Sequence, residues 1–258
     1  MAYDEILYAT DGPVGFLTLN NPGKINALSL TMIGEVIDAL QKMAADDAIK
    51  VLILKAAGKH FCAGHHLAEM VDGGIKDYKG IFDQCSRMMQ LIHEIPQPVI
   101  AQVQGIATAA GCQLVAWCDL AVVEEGARFA TPGVKIGLFC TTPMTALTRA
   151  IGRKAAMEML LTGRYVPAEE AKALGLVNRV VPIEDLDAET EALARQIAEA
   201  SGFVLGIGKQ AFYAQIDMPD DRALRFATQT MVMNNAAEDA QSGIKAFLNK
   251  ETPKWKNR

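Results

Sequence analysis

The chain has no block of basic residues, no CxxC pair, no HExxH motif, no low-complexity segment and no clean apolar run of membrane length. Each absence excludes something. A net charge of −5 without a basic patch argues against nucleic acid and anionic membrane surfaces as partners. The most apolar window, residues 99–118, is interrupted by Gln102, Gln104, Gly105, Gly111 and Gln113, which suits a protein interior and not a bilayer. Five cysteines, an odd number, read as reduced thiols and point to the cytoplasm. Four histidines without Cys/His spacing leave no metal site to expect. The opening MAYDEI has neither a basic stretch nor an apolar core, so no secretory signal is expected.

What the chain does have is core-forming residues. Half of its 258 residues are hydrophobic, enough for one large domain or a domain with an appendage. Residues 14–20 alternate apolar and polar as a half-buried strand does, and NNPG then breaks the chain. Ile33, Val36, Ile37, Leu40 and Met43 recur at helical spacing, predicting an amphipathic helix over 30–44. KVLILKA at 50–56 is the clearest buried strand. Ile81, Cys85, Met88, Met89 and Ile92 mark a second helix, closed by Pro96 and Pro98.

The most informative stretch follows, PVIAQVQGIATAAGCQLVAWCDLAV at 98–122. VIAQV reads as a buried strand; small residues then give way to helical spacing at Cys112, Val115 and Ala116. Ala109, Ala110 and Gly111 read as the start of a buried helix. Small residues there let a ligand approach the backbone, and the first helical turn presents free N–H groups. The same residues would equally permit tight strand–helix packing. Ala63-Gly64-His65 is a second such turn, after the KVLILKA strand. If the two strands are sheet neighbours, the turns lie side by side at the sheet edge. Two converging N–H groups would then stabilise charge on a carbonyl oxygen, and a thioester enolate or tetrahedral adduct is a fitting guest.

Several segments together resemble the crotonase superfamily of enoyl-CoA hydratases and isomerases over essentially the whole chain. They are KINAL (24–28), FCAGHHLAEM (61–70), the 98–122 stretch, RFATPGVKIGL (128–138), LTRAIGR (147–153), LTG (161–163), AKALGLVNRVVP (171–182) and AFLNKETPKWK (246–256). The resemblance implies an α/β fold, a crotonase-like spiral of ββα units over 1–201, with a C-terminal helical trimerisation region over 202–258. It implies a homotrimer or a dimer of trimers. It assigns the oxyanion-hole N–H groups to His65 and Ala110. It places coenzyme A, as part of the substrate and not as a permanently bound cofactor, along Lys24, Ala27, Ala63, His65, His66, Leu67 and Ala68. Lys250 matches a lysine that in some relatives meets the CoA phosphate of a neighbouring subunit; a solvated tail charge is the alternative.

Two departures bear on the reaction. Typical hydratases carry glutamates where this chain has Gln113 and Gly133, and neither an amide nor a hydrogen atom can accept and return a proton near pH 7. ATAAGCQLVA and FATPGV resemble a divergent animal subgroup that lacks both acids. His66 and Cys140 are the replacement candidates: imidazole titrates near neutrality, and a thiol is nucleophilic once its pKa is depressed. His66 beside a CoA phosphate, and Cys140 as a small wall residue, are the alternatives. Cys62, Cys85, Cys112 and Cys118 read as core packing.

The remainder predicts a short helix over 167–174 closed by Gly175, a strand over 176–181, and helices over 184–201, 203–216, 220–234 and 238–250. A linker at residues 202–208 would mark a subdomain boundary at most. Three functions follow: an acyl-CoA enzyme with an oxyanion hole but no ordinary two-glutamate hydration; a thioesterase or isomerase using His66 or Cys140; or a non-catalytic acyl-CoA binder.

Overall fold

The computed structural model describes residues 3–258. β1 (Ile6–Asp11) and β2 (Val14–Leu19) form an antiparallel hairpin, followed by α1 (Leu30–Ala44), β3 (Val51–Ala56), α2 (Ile75–Glu94) and β4 (Val99–Val103). Next come β5 (Ile106–Thr108), α3 (Ala110–Trp117), β6 (Leu120–Glu124), β7 (Arg128–Ala130), α4 (Thr141–Ala150) and α5 (Arg153–Thr162). β8 (Val166–Pro167), α6 (Ala168–Leu174), β9 (Arg179–Val181) and α7 (Leu186–Ala198) complete the mixed region. α8 (Gly202–Gln215), α9 (Asp220–Ala236) and α10 (Glu238–Asn249) close the chain. Six strands pair in the order β1-β2-β3-β4-β6-β9, parallel from β2 onward, and β5-β7-β8 make a second, small sheet.

The continuous apolar character of β3 has a simple cause: both faces of its sheet are covered. Leu52 and Leu54 join the cluster under α1 and α2, whereas Val51 and Ile53 join Ile100 and Val122 under Leu186, Ala194 and Ala198 of α7. α1 buries Met32, Ile33, Val36, Leu40 and Met43, as its spacing predicts. The Ser29 hydroxyl caps it by accepting from the Met32 N–H at 3.0 Å. Among the described residues no helix is long and apolar enough to cross a membrane.

Three expectations need correcting. The strand that feeds the second turn is β5, not β4. Gly105, at φ +61°, breaks the chain between them, and a Cβ there would lie 2.2 Å from the Lys59 carbonyl oxygen. β4 therefore stays beside β3, and β5 crosses to pair with β7. Residues 202–208 are not a linker but the first turns of α8, capped by Ser201 and packed through Gly206 onto Pro96. The strand near 176–181 is only Arg179–Val181, because Leu176 and Val177 turn into the core.

The C-terminal helices are held at one buried point. Asp239 is fully buried and accepts from the Ser201 hydroxyl (2.6 Å), the Lys256 N–H (2.7 Å) and the Asn257 N–H (2.8 Å). By contrast, Leu224, Met231, Val232, Met233, Phe247 and Leu248 project into solvent.

His93 ties α8 to α2 and α3 by stacking between Trp117 (4.7 Å) and Tyr213 (3.6 Å) and donating to the Trp117 carbonyl at 2.8 Å. Burial pushes its pKa down to about 4 from an ordinary 6.5. The unfolded chain thus binds a proton that the folded chain refuses. This contribution to stability is complete above pH 6.5 and lost as the pH falls toward 4. Urea unfolding at pH 7 and pH 4.5 is expected to show a drop in midpoint that His93→Phe reduces; an equal drop in both proteins contradicts the assignment.

Candidate active site

Two backbone turns meet, one after β3 and one after β5. The first, Ala63-Gly64-His65, follows β3 and is zipped to residues 25–28: Ala63 N–H donates to Ile25 (3.0 Å), Leu28 N–H to Gly64 (2.8 Å) and His66 N–H to Leu28 (3.0 Å). The second, Ala109-Ala110-Gly111, opens α3. Thr108 joins them, its N–H donating to the Cys62 carbonyl (2.9 Å) and its hydroxyl to the Ala63 carbonyl (3.0 Å).

Glycine is required on both sides of this contact. Gly64 sits at φ +96°, and a Cβ there would lie 2.8 Å from the Ala109 Cβ and 3.2 Å from the Ala110 nitrogen. A Cβ on Gly111 would lie 2.4 Å from the Cys62 carbonyl oxygen. Ala109 itself is strained, at φ 50° and ψ −118°, a conformation that L residues rarely adopt. The strain fixes where α3 begins.

After these pairings, the N–H groups of His65 and Ala110 donate to no backbone or side-chain acceptor among the described residues. Both residues line one cavity of about 600 Å³. Its walls include Ala27, Ala63, Leu67, Met70 and Phe82 together with Pro132, Gly133, Ile136, Leu138, Phe139 and Cys140. The lining is mostly apolar and holds no carboxylate. Two unpaired donors in such a setting attract a carbonyl oxygen that gains negative charge, because the medium screens the interaction weakly.

The expected site residues divide cleanly. Ala27, Ala63, His65, Leu67, Ala110, Gly133 and Cys140 share the cavity, whereas Lys24, His66, Ala68, Gln113 and Lys250 are not among its lining. The His65 ring meets Phe82 edge-on at 5.3 Å, and burial lowers its pKa against the opposing pull of Glu69. Near pH 7 it is neutral. His66 points elsewhere, with Nδ1 3.4 Å from Glu69 Oε1, while Glu69 Oε2 accepts from the Leu30 N–H at 3.0 Å and so holds the start of α1. Gln113 is buried in the first turn of α3, and its Oε1 has no partner. Lys24 ends a short 3-10 turn, and Lys250 caps α10 in the left-handed conformation. Lys250 is exposed.

Position 133 is closed to any side chain. A Cβ on Gly133 would lie 2.6 Å from the Leu138 carbonyl oxygen and 2.8 Å from Cys140 Sγ. Burial raises the Cys140 pKa, and a hydrogen bond from the Gly133 amide offsets part of that rise. The thiol is protonated near neutral pH and serves as wall. Cys62, Cys85, Cys112 and Cys118 lie in the core, and burial pushes the first three up to about 12.

Three contributors escape the sequence reading. Met70 reaches the cavity from a short 3-10 turn, Leu67–Met70, and Phe82 from α2, outside the apolar stripe of Ile81, Cys85, Met88, Met89 and Ile92. Asn26, fully buried, accepts from the Asn21 N–H (2.8 Å) and donates to the Ala57 and His60 carbonyls (2.9 Å each). It bolts residues 25–28 to the segment between β3 and the first turn. Its place in KINAL is a signal, but spacing alone does not show the three partners.

Gly64→Ala is expected to lower stability by about 3 kcal/mol, combining the cost of a positive φ with overpacking against Ala109. Chemical denaturation measures it. A variant as stable as the parent would show that the turns do not meet as described.

Residues 10–258 match the family described as Enoyl-CoA hydratase/isomerase. The chain is 46% identical over 240 residues to the Mus musculus protein named "Enoyl-CoA hydratase domain-containing protein 3, mitochondrial", covering 93% of this chain and 80% of that one. The Homo sapiens protein of the same name is also 46% identical over 240 residues, covering 93% and 79%. Among solved structures, an enoyl-CoA hydratase from Mycobacterium smegmatis superposes with a TM-score of 0.95 at 46% identity, over 98% of this chain and 99% of that one. Human enoyl-CoA hydratase domain-containing protein 3 gives 0.96 at 43% identity, over 98% and 100%. The crotonase-type α/β fold with C-terminal helices, expected from the motifs, is the fold of this chain.

Proposed function

The chain belongs to the enoyl-CoA hydratase/isomerase family, and we propose that it binds an acyl-CoA thioester with the carbonyl oxygen between the His65 and Ala110 N–H groups. The observation that carries this is the pair of unpaired amides on one apolar cavity, held together by Gly64 and Gly111. The amides would stabilise a thioester enolate. CoA would run past Lys24, Ala27, Ala63, His65, His66, Leu67 and Ala68, and Lys250 of a neighbouring copy would meet its phosphate. The acyl-CoA is the whole of the small-molecule requirement; no resident cofactor or metal is proposed.

A homotrimer or a dimer of trimers would cover the apolar side chains that α9 and α10 leave in solvent. The proposed compartment is a reducing one, the cytoplasm, supported by five free thiols; the word mitochondrial belongs to the relatives' names.

Ordinary hydration is not the proposed reaction. It needs two groups that exchange protons with water and with the substrate carbon, and positions 113 and 133 supply an amide and a hydrogen atom. A non-catalytic binding role is the second reading, favoured by the lack of any carboxylate in the cavity lining. The Cys140 thiol, raised in pKa, and His66, outside the lining, give the thioesterase and isomerase readings little to work with.

Crotonyl-CoA turnover, followed at the enoyl chromophore and by released thiol, tests this. The protein is expected to bind CoA and to hydrate crotonyl-CoA about 10⁴-fold or more slowly than a two-carboxylate hydratase. Gln113→Glu with Gly133→Glu is expected not to restore the rate, because Leu138 and Cys140 fill the space beside position 133. Fast hydration by the parent would overturn the reading of its reaction, and failure to bind any CoA species would overturn the reading of its ligand.

A further inference from the structure

The cavity lining holds three titratable side chains, His65, Lys135 and Cys140. Two of them are poorly placed to accept a proton. Lys135 is exposed, and its Cε packs beside Gly163, where a Cβ would lie 3.2 Å from it. The Cys140 thiol keeps its proton near pH 7 because burial raises its pKa. That leaves the imidazole of His65.

This ring is unpaired. Its Nε2 is enclosed and has no hydrogen-bond partner, and its Nδ1, which is not enclosed, bonds to no group among the described residues. A neutral imidazole carries one donor and one acceptor, and a largely buried ring with neither met is one that a ligand can complete. The surroundings do not complete it. The ring meets Phe82 edge-on at 5.3 Å, and Glu69, the carboxylate that acts on it, is engaged with His66 Nδ1 (3.4 Å) and the Leu30 N–H (3.0 Å). Burial lowers the pKa of His65, so at pH 7 the ring is neutral and one nitrogen keeps its lone pair. With the proton on the enclosed Nε2, that lone pair is on Nδ1. The backbone amide of the same residue is one of the two unpaired donors on the cavity, and Nδ1 is tethered to it through Cβ and Cγ. A group held by that amide therefore lies within reach of the ring.

We propose that the His65 imidazole is a catalytic base that removes a proton from the carbon next to the thioester carbonyl. The inference rests on the acyl-CoA reading above and adds the group that makes the enolate. Nδ1 takes the proton. The C–H electron pair becomes the carbon–carbon double bond of the enolate, and the carbonyl π pair moves onto the oxygen, where the His65 and Ala110 N–H groups hold it. The imidazolium exchanges its proton with solvent and returns one to the same carbon. One residue thus supplies the base through its side chain and an oxyanion donor through its backbone. Enolisation needs one proton-transfer group where hydration needs two, which fits a lining without carboxylates. The neighbouring imidazole, His66, is outside the lining and faces Glu69.

The test is deuterium incorporation at the α-carbon of butyryl-CoA in D2O, followed by mass spectrometry, with butyryl-CoA binding measured calorimetrically on the same full-length proteins. The parent is expected to label the α-carbon faster than buffer does. His65→Ala and His65→Gln keep the backbone amide, and both are expected to bind butyryl-CoA as the parent does. Both are expected to label it about 100-fold more slowly, the lower end of what a positioned base contributes. His65→Gln keeps a donor and an acceptor but no basic lone pair, and so separates proton transfer from hydrogen bonding. Labelling by the parent no faster than buffer on bound butyryl-CoA would overturn the base and leave the acyl-CoA reading standing. The parent rate kept by either variant, or labelling lost only together with binding, would likewise overturn it. No binding of butyryl-CoA or of free CoA to the parent would instead overturn the acyl-CoA reading itself.

Discussion

The close approach of two backbone turns, with glycine at each point of contact, is the constraint on which the site depends. Gly64 and Gly111 leave no room for a methyl group, so the loop after β3 and the start of α3 can approach this closely only with glycine at both positions. Everything around them serves that contact. Residues 25–28 zip the first turn from one side, Thr108 ties it to the second, and the strained Ala109 starts α3 so that Ala110, whose N–H has no acceptor among the described residues, lines the cavity. A helix beginning one residue later would use a different amide. Because the donors belong to the backbone, side-chain drift through evolution leaves them in place.

On the proposed function, the same geometry would let a site keep its electrostatic part without its proton-transfer part. Oriented amides need no titratable group and work at any pH where the fold survives. Acid–base groups are single side chains and vanish with single changes. At the two positions where the resemblance implies glutamates, Gln113 is buried with an unpaired Oε1, and Leu138 and Cys140 fill the space beside Gly133. The neutral His65 ring adds a third wall element without charge. What the described residues leave is a mostly apolar cavity with two unpaired amides in its lining, the arrangement on which the proposed function rests.

Much of this was readable in the chain beforehand, for a physical reason. Turns that require glycine, strands covered on both faces and helices with one apolar stripe each leave a local pattern, and Gly64, KVLILKA and the Ile33–Met43 spacing are examples. The ordered set of motifs identified the fold beyond what periodicity allows. Long-range consequences of local breaks were harder. Gly105 looks like any loop glycine, yet it moves the strand before α3 into a second sheet. Residues 202–208 read by composition as a linker and by spacing as the start of the 203–216 helix, and the Ser201 cap and the packing of Gly206 on Pro96 make them helix. Phe82 and Met70 join the cavity through tertiary packing, and nothing in their spacing announces it. Cys140 was visible as a thiol, but its contact with position 133 depends on how the loop folds back.

The central claim is that the His65 and Ala110 N–H groups bind a thioester carbonyl oxygen. Its most direct test is the infrared carbonyl stretch of a carbon-13-labelled acyl-CoA, measured free and bound. Two strong donors polarise the bond and move the bound stretch to lower frequency. An unshifted stretch on a fully bound thioester would mean that the amides do not touch the oxygen, and the account would fail.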